Sequence, residues 1–409
     1  MLATMMPLFD GNVAVKAYSL FAQKENFLLN PSMLGTGSLD GAGNIIGLDA
    51  IESLGTTTLD DDQVFFIEIS KVSIFSAIDE MCSVDADRIV LLVDQTIPCE
   101  DMYLQRIEQL KAMGYKIAMK GLKIEQFEEY ASMLRLLDYM MLDYKKLNIA
   151  GAKAFFSKVY PNVSLIAVNV DSQDDFDMLS SSEAYRLFEG DFYRIPVTQG
   201  SKDVSPLKVN YIELLNIVND SDFELTKAAD IIGRDTALVI ELLKVVNRMS
   251  INSEITSIRH AAAMLGQKEL KKWINAVVTH QLCADKPSEI TRLSLLRAKF
   301  AENLAPIFGV GGLSSELFLM GLFSVLDIIL DKPMDEALKM VSVSKQISDA
   351  LCNGKGDMAE IFQFIKNYEL ASWSEVSRIM IVKHIDEDAV YDAYTDSLKW
   401  YRDLFGSEK

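Results

Sequence analysis

Histidine and cysteine are scarce in this chain, with three of the first and four of the second among 409 residues. His260, His280 and His384 stand far apart. Cys82, Cys99, Cys283 and Cys352 follow neither a metal-ligand spacing nor a disulfide framework, so they read as reduced thiols in a cytoplasmic protein. No Gly-x-Ser-x-Gly occurs to seat a serine nucleophile. No run approaches the ~18 apolar residues of a membrane span, and no basic segment leads an apolar one near the N-terminus. Basic residues are also in deficit, 40 Lys and Arg against 59 Asp and Glu, for a formal net charge of −19. Nucleic acid and anionic membranes both reward a basic face, so neither is an expected partner.

What is present is apolar residues in quantity, 49% of a chain long enough for two domains. From residue 13 to about 196, short apolar runs alternate with amphipathic stretches. The runs Val13–Phe21, Val64–Ile69, Ile89–Val93, Lys116–Met119, Tyr139–Leu142, Leu165–Val170 and Asp191–Ile195 read as strands. Asp101–Met113, Ile124–Leu137 and Ile149–Val159 read as helices between them. Such alternation implies parallel βα units and suggests a (β/α) barrel, although the chain is short for a full one. Residues 31–62 are rich in Gly, Ser, Thr and Asp and read as a loop or trimmed helical region. Their Gly-x-Gly pairs follow no strand, which argues against a phosphate cradle.

After Pro196 the period changes. Residues 198–206 read as a linker, and 207–409 as an all-α domain. Ser221 or Asp222 is placed to cap a helix over Glu224–Ile232, and Asp235 one over Thr236–Met249. Ser257 starts Ile258–Leu265, which Gly266 is expected to end in the left-handed conformation. Gly309–Gly312 breaks the run before a helix from Ser314 or Ser315.

These residues resemble bacterial signalling proteins that join an EAL-type domain to an HDOD domain. The C-terminal half carries the strongest likeness: Asp235-x-x-Leu238, Leu242-Leu-Lys-x-Val-Asn247, Ser257-Ile, Leu265-Gly266, the run Phe318–Asp327, and Tyr368-Glu369 with Trp373. The resemblance covers nearly the whole chain. It implies an α/β plus all-α protein: a modified (β/α) barrel over 1–197, a linker over 198–206 and a helical HDOD domain over 207–409.

EAL domains, when active, hydrolyse cyclic di-GMP with two divalent metals, held by carboxylates and an Asn at strand ends. A Lys and a Glu assist the attacking water. Two such cations need several hard oxygen ligands. Carried onto this chain, the signature Glu falls on Ser19 and the phosphate-contacting Arg on Gln23. The Asn ligand falls on Glu68, the next Glu on Leu92, and the Asp-Asp pair on Lys120 and Gly121. The catalytic Lys falls on Met141, while Asp143 is kept. The base Glu falls on Val168, its partner Glu is Asp171, and the closing Gln is Glu189. An ammonium about 4 Å from a divalent ion costs roughly 8 kcal/mol at an effective dielectric near 20. Phosphodiesterase activity is therefore not expected from this domain.

The helical half fails a parallel test. HDOD domains resemble metal-dependent phosphohydrolases without the adjacent His-Asp pair, and no His-Asp dipeptide occurs here; the corresponding stretch is Gly321–Val325. The polar set Asp235, Lys244, Asn247 and Arg248, beside Leu238, admits two readings. Asp235 and Asn247 satisfy helix ends, or the set forms a docking surface or small-ligand pocket. The expectation is a catalytically inactive adaptor that meets unidentified signalling proteins in or near a cyclic di-GMP pathway. No cofactor is expected. The alternative is a receptor that binds cyclic di-GMP without cleaving it. Gln23 and the acidic or apolar surroundings disfavour that anion, whereas Lys120 favours it. Pairing of EAL-type domains through the barrel implies a homodimer.

Overall fold

The structure, a computed structural model, describes residues 1–23, 45–54, 63–146, 148–198, 204–220, 222–224, 229, 232–233, 236–249, 255 and 257–405. Two units divide the chain: Met1–Ile195 with Gln363–Arg402, and Pro196–Phe362 with Asp403–Lys409. The sequence expectation had assigned all of 207–409 to one helical domain.

The first unit is built on a closed barrel of eight strands in chain order. These are β1 (Leu2–Phe9), β2 (Val15–Gln23), β3 (Val64–Glu68), β4 (Ile89–Val93), β5 (Lys116–Met119), β6 (Tyr139–Asp143), β7 (Ser164–Val168) and β8 (Leu187–Glu189). β1 runs antiparallel to both neighbours, β2 and β8, and every other junction is parallel. The parallel βα expectation, which covered residues 13 to about 196, therefore holds from β2 onward, and β1, outside it, is an added antiparallel strand.

Asp10 makes the reversal between β1 and β2. Its Oδ1 accepts from the backbone N–H groups of Asn12 (2.8 Å) and Ala14 (3.0 Å), and Val13 is left at φ 58°. Val13 was expected in the strand; it sits in the turn instead. The expected strand Asp191–Ile195 is a second correction, because Phe192–Arg194 forms a 3-10 turn and the strand is the shorter Leu187–Glu189.

The barrel is filled by one apolar layer with a residue from every strand: Leu8, Ala17, Phe66, Val90 and Leu92, Ala118, Met141, Ile166 and Leu187. Strand alternation sends these side chains inward and their sequence neighbours outward. Outside lie α1 (Ile46–Leu54), α2 (Ile78–Met81), α3 (Asp101–Ala112), α4 (Ala131–Leu134), α5 (Ile149–Val159) and α6 (Gln173–Ser181). The helix expected over Ile124–Leu137 is broken into a 3-10 turn, Ile124–Gln126, and the single turn of α4. Glu125 has like-charged Glu128 and Glu129 at helical neighbour positions, a repulsion that works against a longer helix. Within this unit Gln363–Arg402 packs on β1: the Tyr368 hydroxyl, wholly buried, accepts from Ala3 N–H at 3.3 Å. Arg194 pairs with Glu369 (3.3 Å) and Asp191 (2.7 Å).

The second unit is helical: α7 (Pro206–Asn219), α8 (Thr236–Met249), α9 (Ile258–Leu282), α10 (Ser288–Ile307), α11 (Ser314–Phe323), α12 (Leu326–Leu330), α13 (Met334–Met340) and α14 (Lys345–Asn353). Gly266 ends the stretch Ile258–Leu265, as expected. It takes the left-handed helical conformation only in part, at φ 74° but with ψ 165°, and a second helical stretch follows it to Leu282. The closest packing is between α10 and α11, where Gly321 lies against the Arg297 carbonyl with no room for a Cβ. Most of the helix expected over Glu224–Ile232, the cap candidate Ser221, Asp235 and most of the 198–206 linker lie outside the described residues.

Candidate functional site

The ends of the parallel strands form the barrel mouth, and the structure gathers most of the sequence-derived positions there. Ser19, Glu68, Lys120, Val168 and Glu189 each lie two residues beyond an inward residue of the apolar layer, on Ala17, Phe66, Ala118, Ile166 and Leu187. The period of two turns them to the same interior face. Leu92 and Met141 belong to the layer itself, with Val168 packed against it. The register sets Glu68 beside Leu92 and Asp143 beside Val168. Gln23 closes β2, half-buried. Gly121 follows Lys120 at φ 72°, a turn that favours glycine.

The polar groups of the mouth are paired within the chain. The Lys120 ammonium meets the Glu68 carboxylate. Lys146 meets Asp143 at 2.8 Å, and Lys145 meets Asp171 at 2.6 Å. Asn169, at φ 60°, donates to Asp143 at 3.3 Å. Ser19 donates its hydroxyl to Glu189 at 3.1 Å. Four carboxylates thus face three ammonium groups.

Burial pushes the Glu189 carboxyl up, and the Ser19 hydroxyl and the nearby Lys120 charge oppose that only in part. Burial also acts against ionisation of Asp143, but Lys146, the Lys145 N–H and Asn169 together hold its carboxyl below the usual range. The Asp171 carboxylate raises the Lys145 ammonium. Burial, then Asp175, pushes the Tyr144 hydroxyl up to about 12.

As a donor set these groups do not suit a pair of divalent cations. Leu92, Met141 and Val168 offer no hard oxygen, and the Glu68 carboxylate already holds an ammonium. Among the described residues no group of three or more His, Cys, Asp or Glu stands close enough to hold a metal ion. Sequence reasoning passed over Lys145, Lys146 and Asn169. The signal was present: two lysines follow the retained Asp143 directly in Asp143-Tyr-Lys-Lys146.

In the helical unit Leu238 is core, 1% exposed, and Lys244 is at the surface. The Asn247 side chain holds Ile255 at both ends, accepting its N–H at 2.6 Å and donating to its carbonyl at 3.0 Å. Asp235 and the Arg248 side chain are outside the described residues. Around the Gly321–Val325 stretch, the Ser324 hydroxyl donates to the Gly321 carbonyl (2.7 Å) and accepts from Arg297 (3.2 Å). Nearby, the Asp327 carboxylate accepts from Val197 N–H at 3.0 Å.

Residues 204–348 match the HDOD domain family. The match spans α7 through the start of α14, with Asn247, Gly321 and Asp327 inside it. Over the full length, the uncharacterized protein YuxH of Bacillus subtilis is 23% identical across 412 residues, covering 98% of each chain. The cyclic di-GMP phosphodiesterase CdgJ of Vibrio cholerae is 25% identical across 323 residues, 77% of this chain and 73% of that one. Among solved structures, the EAL enzyme Bd1971 with cAMP and cyclic di-GMP bound aligns at a TM-score of 0.37 and 13% identity. That alignment covers 46% of this chain and 60% of the solved one, so this chain spans less than two thirds of its length. No helix among the described residues is long and apolar enough to cross a membrane.

Proposed function

We propose that this protein is a non-catalytic signalling adaptor of the cyclic di-GMP pathway, acting through contacts with other proteins. The pathway is suggested by the HDOD match and by the relative CdgJ, a cyclic di-GMP phosphodiesterase. The loss of catalysis rests chiefly on one observation, the Lys120 ammonium on Glu68 at the barrel mouth. A cation fixed on the chain stands where the resemblance calls for a metal ligand. Around it, Leu92, Met141 and Val168 supply hydrocarbon where the chemistry needs oxygen.

The receptor reading depended on Lys120 as a cation for phosphate. With that ammonium held by Glu68, and Lys145 and Lys146 held by Asp171 and Asp143, these described lysines of the mouth are engaged by the chain's own carboxylates rather than free for an anion. The adaptor reading is therefore preferred. It is tested by incubating pure protein with cyclic di-GMP and Mn²⁺ and separating the products. Intact dinucleotide supports it, and release of the linear dinucleotide at rates that scale with protein sinks it.

A further inference from the structure

Among the described residues, the short α4 leaves a long face of α5 uncovered. In a (β/α) barrel the helix after each strand packs on the helix after the next. Here β5 is followed by a single helical turn, α4, while α5 runs for three. The face of α5 bearing Asn148, Ala152, Phe155, Phe156 and Val159, spaced by three and four residues, borders a groove of about 570 Å³. Phe127 and Ile124 form its opposite wall. Phe155, Val159 and Ile124 are 37%, 49% and 54% exposed, which makes this a contiguous apolar patch. The rings of Phe127, Phe155 and Phe156 lie 5.4 to 5.8 Å apart and hold the walls in place.

The shape of the vacancy and its charge identify the occupant. From Asn148 to Val159 the groove follows three helical turns, about 16 Å, which is the footprint of the helix that α4 fails to supply. The α4 wall carries acid: Glu128 lines the groove, Glu125 and Glu129 are exposed next to it in sequence, and the basic residues Lys123 and Arg135 stand only at the two ends of this stretch. On α5, Lys153 is turned away to the Ser182 carbonyl, and Lys158 is exposed.

We infer that this groove docks one amphipathic helix of a partner protein, with apolar anchors spaced by three and four residues and basic residues along the edge facing Glu125, Glu128 and Glu129. The helix completes the barrel's outer layer between α4 and α5. The inference builds on the adaptor reading and supplies its contact surface.

The test uses fluorescence anisotropy of a labelled Leu/Lys helical peptide of roughly 18 residues. A peptide of the same composition, scrambled to remove the apolar stripe, serves as control. Saturable binding at least tenfold tighter than the scramble is expected. Phe155→Asp and Val159→Asp should each weaken it tenfold or more. Val159 is exposed enough for that variant to fold, which circular dichroism confirms. The double variant Glu125→Lys, Glu128→Lys should weaken binding and flatten its salt dependence. Equal binding of the scramble, or unchanged affinity in both Asp variants, overturns the proposal. So does a dimer in light scattering that Val159→Asp dissociates, because the groove then belongs to a second copy. The cleavage assay on the same samples separates the two claims: dinucleotide hydrolysis removes the adaptor reading whatever the peptide does, and absent peptide binding removes only this surface.

Discussion

Lys120 and Glu68 close an ion pair across the barrel mouth, joining the strand that ends at Met119 to the strand that ends at Glu68. In the adaptor reading proposed above, the pair puts a cation of the chain where the EAL resemblance calls for a metal ligand. Its side chains are 33% and 48% exposed, so its worth lies in occupying the site rather than in holding the fold. Lys120→Ala should cost no more than about 1 kcal/mol in urea denaturation. It should also leave Mn²⁺ binding undetectable, because Leu92, Met141 and Val168 still supply no oxygen.

Glu189 behaves in the opposite sense to a stabilising carboxylate. Burial raises its folded pKa above the unfolded value, so the folded state holds the proton more tightly. Stability contributed by this group is present below the unfolded carboxyl pKa and is lost as pH rises through the folded one. Glu189→Gln keeps an acceptor for Ser19 and removes the penalty. Its melting temperature should exceed the parent's at pH 7 to 8, and the two should converge near pH 4.

Glu302 shows the usual carboxylate behaviour. It is nearly buried between Lys272, which it contacts, and Lys299 at 2.9 Å. Burial works against its ionisation, but the two ammonium groups hold its pKa below the ordinary value. Glu302→Ala leaves Lys272 with the more exposed Glu269 at 3.1 Å as its ion partner and should cost about 1 to 3 kcal/mol at pH 7 in chemical denaturation. The deficit should shrink as pH falls through the folded pKa of Glu302.

The α10–α11 contact depends on the absence of one carbon. A Cβ on Gly321 would fall on the Arg297 carbonyl, which is backbone and cannot move aside. Gly321→Ala should destabilise by about 3 kcal/mol or more. Gly312→Ala, with open space around its Cβ position, should change stability little. Parallel thermal melts of the two variants check both.

Tyr368 reaches from the C-terminal segment to β1 within the barrel unit. Tyr368→Phe strands the buried Ala3 N–H and should cost about 1 to 3 kcal/mol. Hydrogen exchange at Ala3 should quicken accordingly.

Much of this was legible in the residues. β4 and β5 fall where their apolar runs placed them, and the change of period after Pro196 marks the helical unit. β1 was illegible for a physical reason: Leu2–Phe9 is apolar on both faces, so it lacks alternation, and Pro7 argues against a strand. β8 is three residues long, too short for any period to appear, and the apolar Phe192–Ile195 beside it drew the assignment away. The helix expected over Ile124–Leu137 is broken in a stretch where Glu125 has Glu128 and Glu129 as like-charged helical neighbours, a charge pattern that an apolar-period reading does not weigh. At the site, strand alternation brings Ser19, Glu68, Lys120 and Glu189 to one face. Their pairing could not be read, because it depends on register between strands more than fifty residues apart, as in Glu68 and Lys120.

Isothermal titration calorimetry of the purified protein with cyclic di-GMP, with and without Mg²⁺, tests the central claim most directly. A mouth whose lysines are held by its own carboxylates should give no heat at high micromolar ligand in either condition. Saturable binding that disappears in Lys120→Glu would contradict the account and make the barrel a dinucleotide receptor.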